Sequence, residues 1–239
     1  MEITYILFVL LGFFASIIAA VFGFGSAMVM LAIGPYLLPA EQAVALAAVL
    51  FGVSTLTKTL LFRHQLDWRV VGIMAVASMP FAYLGGTFLP QLPPGLLHRL
   101  LGLMILFYLA TRHFDFLPRF KLGTKGLIAG AAAYGFTSGL IGSGNVIKVV
   151  MFREMNISRE AFVGAMAATS VLASGAKTLA YYQAGLLDHN LAWPIAGLAT
   201  AAIVAALLGR SVLKTVSNQM FDQGVQLVLA VAAIGLLVK

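Results

Sequence analysis

Lys58, Lys148 and Lys177 stand inside apolar stretches, where a charge needs a reason. Lys148 lies in "GLIGSGNVIKVV", residues 139–150, one helical turn beyond Gly142, Ser143, Gly144 and Asn145. The stretch is rich in hydrogen-bond donors and has no carboxylate, a chemistry that suits an anion. Glycines let a ligand approach the main chain. A helix beginning near Asn145 would add unpaired N–H groups and about half a positive charge. A second break, "FGFGS" at 22–26, supplies Gly23, Gly25 and Ser26. Its matching positions Phe24 and Val29 bring neither a polar group nor a cation, so a site should lean on the later break. Lys58 and Lys177 each follow hydroxyls by one turn (Ser54 and Thr55; Ser174) and would line the route to it. The competing reading makes the glycines packing surfaces and the lysines snorkelling chains that reach the headgroups. A charge within the membrane is costly and is usually functional.

The elements that carry these residues follow from composition. Of 239 residues, 61% are hydrophobic and 10% charged, with a mean hydropathy of +0.99. A soluble domain of this size cannot hide so much apolar surface, so the chain is read as an all-α, polytopic membrane protein. The net charge of +7 then reports on loop orientation rather than on nucleic acid, which is not expected as a partner. Ile3 to Phe22 lacks a basic leader and reads as a retained helix. Glu41 and Glu160 fall at helix starts, where an acidic residue favours the N-terminal turn. His64, His98, His113 and His189 fall in or beside loops and are expected to be solvated. Trp68, Trp193, Tyr181 and Tyr182 fit an interfacial belt.

The chain also aligns with itself. An offset of 119 residues places Gly23 and Gly25 on Gly142 and Gly144, Glu41 on Glu160, and "KTL" at 58–60 on "KTL" at 177–179. Two repeats of about five helical segments follow, 1–111 and 126–239, joined by a basic linker at 112–125. In each repeat the first helix is followed by a glycine break and a short helix that either spans or re-enters. If the linker is cytoplasmic, Arg112, Arg119, Lys121 and Lys125 share that side with Arg63, Arg69, Arg153, Arg159, Arg210 and Lys214, leaving Arg99 and Lys239 opposite. Ten basic residues against two place both termini outside and the halves in opposite orientations. Inverted repeats with broken helices are a transporter architecture whose site lies at the breaks.

The two breaks, "FGFGSAMV" and "GLIGSGNV", resemble the glycine-rich turns of the sulfite exporter TauE/SafE family, and the likeness extends over the chain in length, span pattern and duplication. The resemblance implies a multi-pass protein of the bacterial inner membrane that moves sulfite, organosulfonates or related carboxylates. It carries a binding role onto Gly23, Gly25, Ser26, Gly142, Gly144 and Asn145. This sequence departs from the usual turn, with Ser26 and Asn145 at its last glycine position.

The expected function is therefore transport of a small anion by alternating access, with Gly142 to Lys148 holding the head group. An anion channel, or a non-catalytic subunit acting with partners, stays open as an alternative. A metal or cation carrier fits less well, because such sites want carboxylates, imidazoles or thiolates. Enzyme activity is not expected, since no span carries an aspartate, no histidine lies mid-span, and no phosphate-gripping loop is present. No cofactor is implied, and the residues do not decide between a monomer and a homodimer. With no mid-span carboxylate to carry a proton, export or uniport is favoured over coupled uptake.

Overall fold

The computed structural model describes residues 2–22, 26–113, 123–152, 158–212, 226, 229–230 and 233–238. Gly23 and Gly25, and most of the basic linker, lie outside them. Ten α-helices are described: α1 (Glu2–Phe22), α2 (Ser26–Leu37), α3 (Ala40–Phe62), α4 (Trp68–Phe88), α5 (Pro94–His113), α6 (Thr124–Ile141), α7 (Asn145–Phe152), α8 (Arg159–Ala168), α9 (Val171–Gln183) and α10 (Ala192–Val212). Helical residues recur at 229–230 and 233–238. No strand occurs among the described residues. Four helical stretches are long and apolar enough to cross a membrane: Glu2–Ala19, Ala40–Gln65, Trp68–Gln91 and Glu160–Gln183.

Polarity sorts the helices. On α1, Ile3, Leu7, Leu10 and Phe14 are exposed at three- and four-residue spacing, a stripe that suits lipid. Helix α3 is the opposite case. Ala43 to Ala48 are all fully buried, so this helix runs through the centre. It packs against α2, α8, α9 and α10. Around it, α4 lies along α6 and α9, α1 lies along α10, and α7 packs on α6 and α8. Glu41 and Glu160 occupy the first turns of α3 and α8. Ser158 caps α8 by accepting from the Ala161 amide.

In lipid, burying apolar surface gains little, and close packing with hydrogen bonding must hold helices together. The α4–α6 seam meets that demand with glycine. A Cβ on Gly139 would run into the carbonyl of Ala82, and one on Gly135 into that of Ser78. The Tyr181 hydroxyl reaches across from α9 and donates to the Gly139 carbonyl. Tyr181 is thus buried rather than interfacial, a correction to the expected belt. Trp68, Trp193 and Tyr182 are exposed as that belt requires. His98 is a second correction. It lies in the first turns of α5 and is buried.

The helix expected to start at Glu160 matches α3 at the 119-residue offset, and the chain bends within it. Thr169 and Ser170 form a turn between α8 and α9. Both hydroxyls bond back to carbonyls one turn earlier, Thr169 to Ala165 at 2.7 Å and Ser170 to Met166 at 2.8 Å. Such back-bonding bends helices. At the matching positions α3 carries Leu50 and Phe51, and it runs unbroken.

Candidate functional site

A cavity of about 50 Å³ lies where α1, α2, α3, α6, α7, α8 and α9 converge. One water needs ~10–15 Å³, so the space suits a few waters or one compact oxyanion. Six serines border it: Ser26, Ser54, Ser138, Ser143, Ser170 and Ser174, all buried. Asn145, Tyr134 and the two lysines Lys58 and Lys177 complete its polar lining. No carboxylate of the described residues borders the cavity. Among the described residues, no three His, Cys, Asp or Glu side chains gather where a metal could sit.

The second glycine break builds one wall. Helix α6 ends at Gly142, whose φ of 84° is left-handed and is cheap only for glycine. Gly144 then passes under Tyr134 so closely that a Cβ would lie 2.7 Å from the Tyr134 carbonyl. Ser143 Oγ accepts from the Asn145 amide at 3.4 Å as α7 begins. The left-handed turn leaves the Gly142 carbonyl without a helical donor. Lys177 supplies one, donating to that carbonyl at 2.6 Å and to Ser138 Oγ at 3.0 Å. The same ammonium stands 5.5 Å from the centre of the Phe51 ring.

Lys148 is placed differently. Fully buried, it sits behind the lining rather than on it. Its ammonium donates to the Met166 carbonyl at 2.6 Å and to Ser170 Oγ, and stands 4.4 Å from the centre of the Tyr134 ring. The reason lies in the α8–α9 joint. The Ser170 amide turns to the Ala167 carbonyl at 2.9 Å, so the Met166 carbonyl loses its main-chain donor. Ser170 Oγ, at 2.8 Å, and the Lys148 ammonium donate to it instead.

Of the residues singled out by sequence, Ser26, Gly142, Ser143, Asn145, Lys58 and Lys177 border one cavity. Gly144 shapes the turn beneath it, Lys148 supports it from behind, and Gly23 and Gly25 fall outside the described residues. Sequence reasoning missed Tyr134, Ser138 and Ser170. The first two stand one turn apart just before the break. Their matches at the 119-residue offset are Ala15 and Ala19, so a polar-for-alanine comparison between halves is the signal that could have found them.

Apolar helices that enclose a buried, lysine-lined cavity define a multi-pass membrane protein with a central polar chamber, the arrangement of a solute transporter. The sulfite exporter TauE/SafE family profile matches residues 8–236, nearly the entire chain, and the protein belongs to that family. It is thereby a membrane transporter of the sulfite-exporter type. Neither the curated proteins nor the solved structures searched yield a match.

Proposed function

We propose that the protein moves small anions, sulfite or a related sulfur oxyanion foremost, across the bacterial inner membrane by alternating access around the central cavity. One observation carries this reading: the buried Lys58 and Lys177 border a small chamber that no carboxylate of the described residues borders. A buried charge without a partner is strongly unfavourable, and an anion within the chamber relieves it. The chamber's size supports a compact oxyanion over an aryl sulfonate.

The two halves would act as inverted repeats. The packing supports this in one respect: α1 of the first half lies on α10 of the second, and α4 of the first lies on α6 of the second. If α1 corresponds to α6 and α4 to α10, these two contacts are one contact seen twice. Rocking one pair against the other would open the chamber to each side in turn. An interior-negative potential would drive an anion outward, by ~2.3 kcal/mol per charge per 100 mV.

Proteoliposomes loaded with sulfite test the reading. Efflux is expected to accelerate under an inside-negative potassium-diffusion potential and to vanish in Lys177→Met. Counterflow of labelled sulfite against unlabelled sulfite separates a carrier from a channel, because only a carrier exchanges. Efflux indifferent to the Lys177 substitution would overturn the site. Since the chain has no cysteine, single cysteines placed at Lys125 and at Ala184 test the topology, with opposite accessibility expected.

A further inference from the structure

The three buried lysines are not equivalent, and their hydrogen bonds rank them as ligands. Lys148 is saturated: two acceptors and an aromatic face surround it, and it does not reach the cavity. Lys177 borders the cavity but already donates twice, to Gly142 and Ser138. Lys58 is 5% exposed and borders the cavity, yet makes no hydrogen bond or ion pair among the described residues. One turn earlier on the same face of α3, the Ser54 hydroxyl is 2% exposed and is also unpartnered. Two neighbouring buried donors therefore point a complete set of unmatched N–H and O–H groups at one chamber.

We propose that Lys58 and Ser54 form the primary anion seat, with Lys177 closing it from the opposite half, and that the seat selects compact dianionic oxyanions over monoanions of similar size. This rests on the reading of the protein as an anion transporter and adds both the ligand and its charge. An unpaired buried hydroxyl or ammonium is tolerated where a ligand completes it. The chamber is bordered by two lysines, Lys58 and Lys177, and by no negative group among the described residues. A dianion with several oxygens on one central atom neutralises both and accepts from both sides. A monoanion leaves one positive charge buried and unmatched, which is the costly outcome. The second-half wall meets the ligand with a lysine already bonded to Gly142 and Ser138, and the first-half wall meets it with a free one.

Affinities of the purified full-length protein in detergent test this, by calorimetry with sulfate and thiosulfate as dianions and methanesulfonate and acetate as monoanions at matched ionic strength. Wild type is expected to bind a dianion at least about tenfold more tightly than methanesulfonate. Hydrogen bonds to a charged group are each worth about tenfold or more. Lys58→Met is expected to weaken the dianion by about tenfold or more while leaving the monoanions within a few-fold, so that the preference collapses. Lys58→Arg should restore much of it. Ser54→Ala, a small change that does not threaten folding, is expected to weaken the dianion several-fold and keeps the question answerable if Lys58→Met is not recovered. Equal loss for both anion classes in Lys58→Met, or unchanged dianion affinity in Ser54→Ala and Lys58→Met, overturns the seat while the transporter reading stands. Failure of every anion to bind wild type overturns the reading of the chamber as an anion site.

Discussion

The two walls of the chamber share a skeleton and differ in chemistry. At the 119-residue offset, Tyr134, Ser138, Lys148 and Ser170 of the second half face Ala15, Ala19, Val29 and Phe51 of the first. The lysine pair, Lys58 and Lys177, is common to both. The second-half wall spends both its lysines on itself. Lys177 holds Gly142 and Ser138, and Lys148 holds Met166 and Ser170. The first-half wall has fewer polar groups, yet those of Ser54 and Lys58 are unspent. On this comparison the second-half wall is the scaffold and the first-half wall the open face. The polar-rich half is not by that fact the half that grips the ligand.

If the second half is the scaffold, its backbone contacts should tolerate least. Gly139 lies against the backbone of α4, where a Cβ would also stand 2.6 Å from the Gly86 amide. Backbone cannot yield as a side chain can, so Gly139→Leu is expected to abolish recovery of folded protein. The corresponding seam in the other pair, α1 on α10, brings Gly197 against the side chain of Val9 at 3.2 Å. Gly197→Ala should therefore cost about 1 kcal/mol or less. Size-exclusion profiles of the two variants measure the difference, and equal tolerance would break the scaffold comparison.

Next in size is Lys177→Met. It removes two charged hydrogen bonds, at about 1.5–3 kcal/mol each, and leaves the Gly142 carbonyl without its donor. Sulfite efflux is expected to fall by about two orders of magnitude or more, with melting temperature lowered as well. Lys148→Met comes after it. It removes the charged bonds to the Met166 carbonyl and Ser170 Oγ that brace the α8–α9 joint but deletes no lining group. A stability loss of about 1–3 kcal/mol is expected. Anion affinity should fall less than in Lys177→Met. If Lys148→Met removes binding while leaving the melting temperature alone, then Lys148 touches the ligand and the ranking of the lysines is wrong.

Much of this was legible before any coordinates. Apolar composition with few charges, and glycines at a fixed offset, mark the helices and the breaks because lipid and tight turns impose them directly. Lys148 was legible as important but not in its role. Its target, the Met166 carbonyl, becomes an acceptor only because the chain bends at Thr169–Ser170, and a bend in an apolar helix leaves little trace in periodicity. The status of Lys58 was hidden for a similar reason. Whether a donor is spent depends on what other helices bring to it. Tyr181 shows the same limit: its neighbour Tyr182 on the adjacent face is exposed, and only packing against Gly139 decides which of the two is interior.

The smallest effect belongs to Phe51, where the matched residue is Ser170. The Phe51 ring stands 5.5 Å from the Lys177 ammonium and borders the cavity. A ring face at that range stabilises a cation by about 0.5–1 kcal/mol. Phe51→Leu keeps an apolar side chain in the wall and removes the ring face. Lys177 keeps its bonds to Gly142 and Ser138, so its position should hold. Stability is expected to drop by about 1 kcal/mol, and sulfite efflux to stay within about fivefold of wild type. Thermal melting and initial efflux rates check both. A loss as deep as that of Lys177→Met would mean that the first-half wall, too, orders the lysine across the chamber, and the division into scaffold and open face would have to be redrawn.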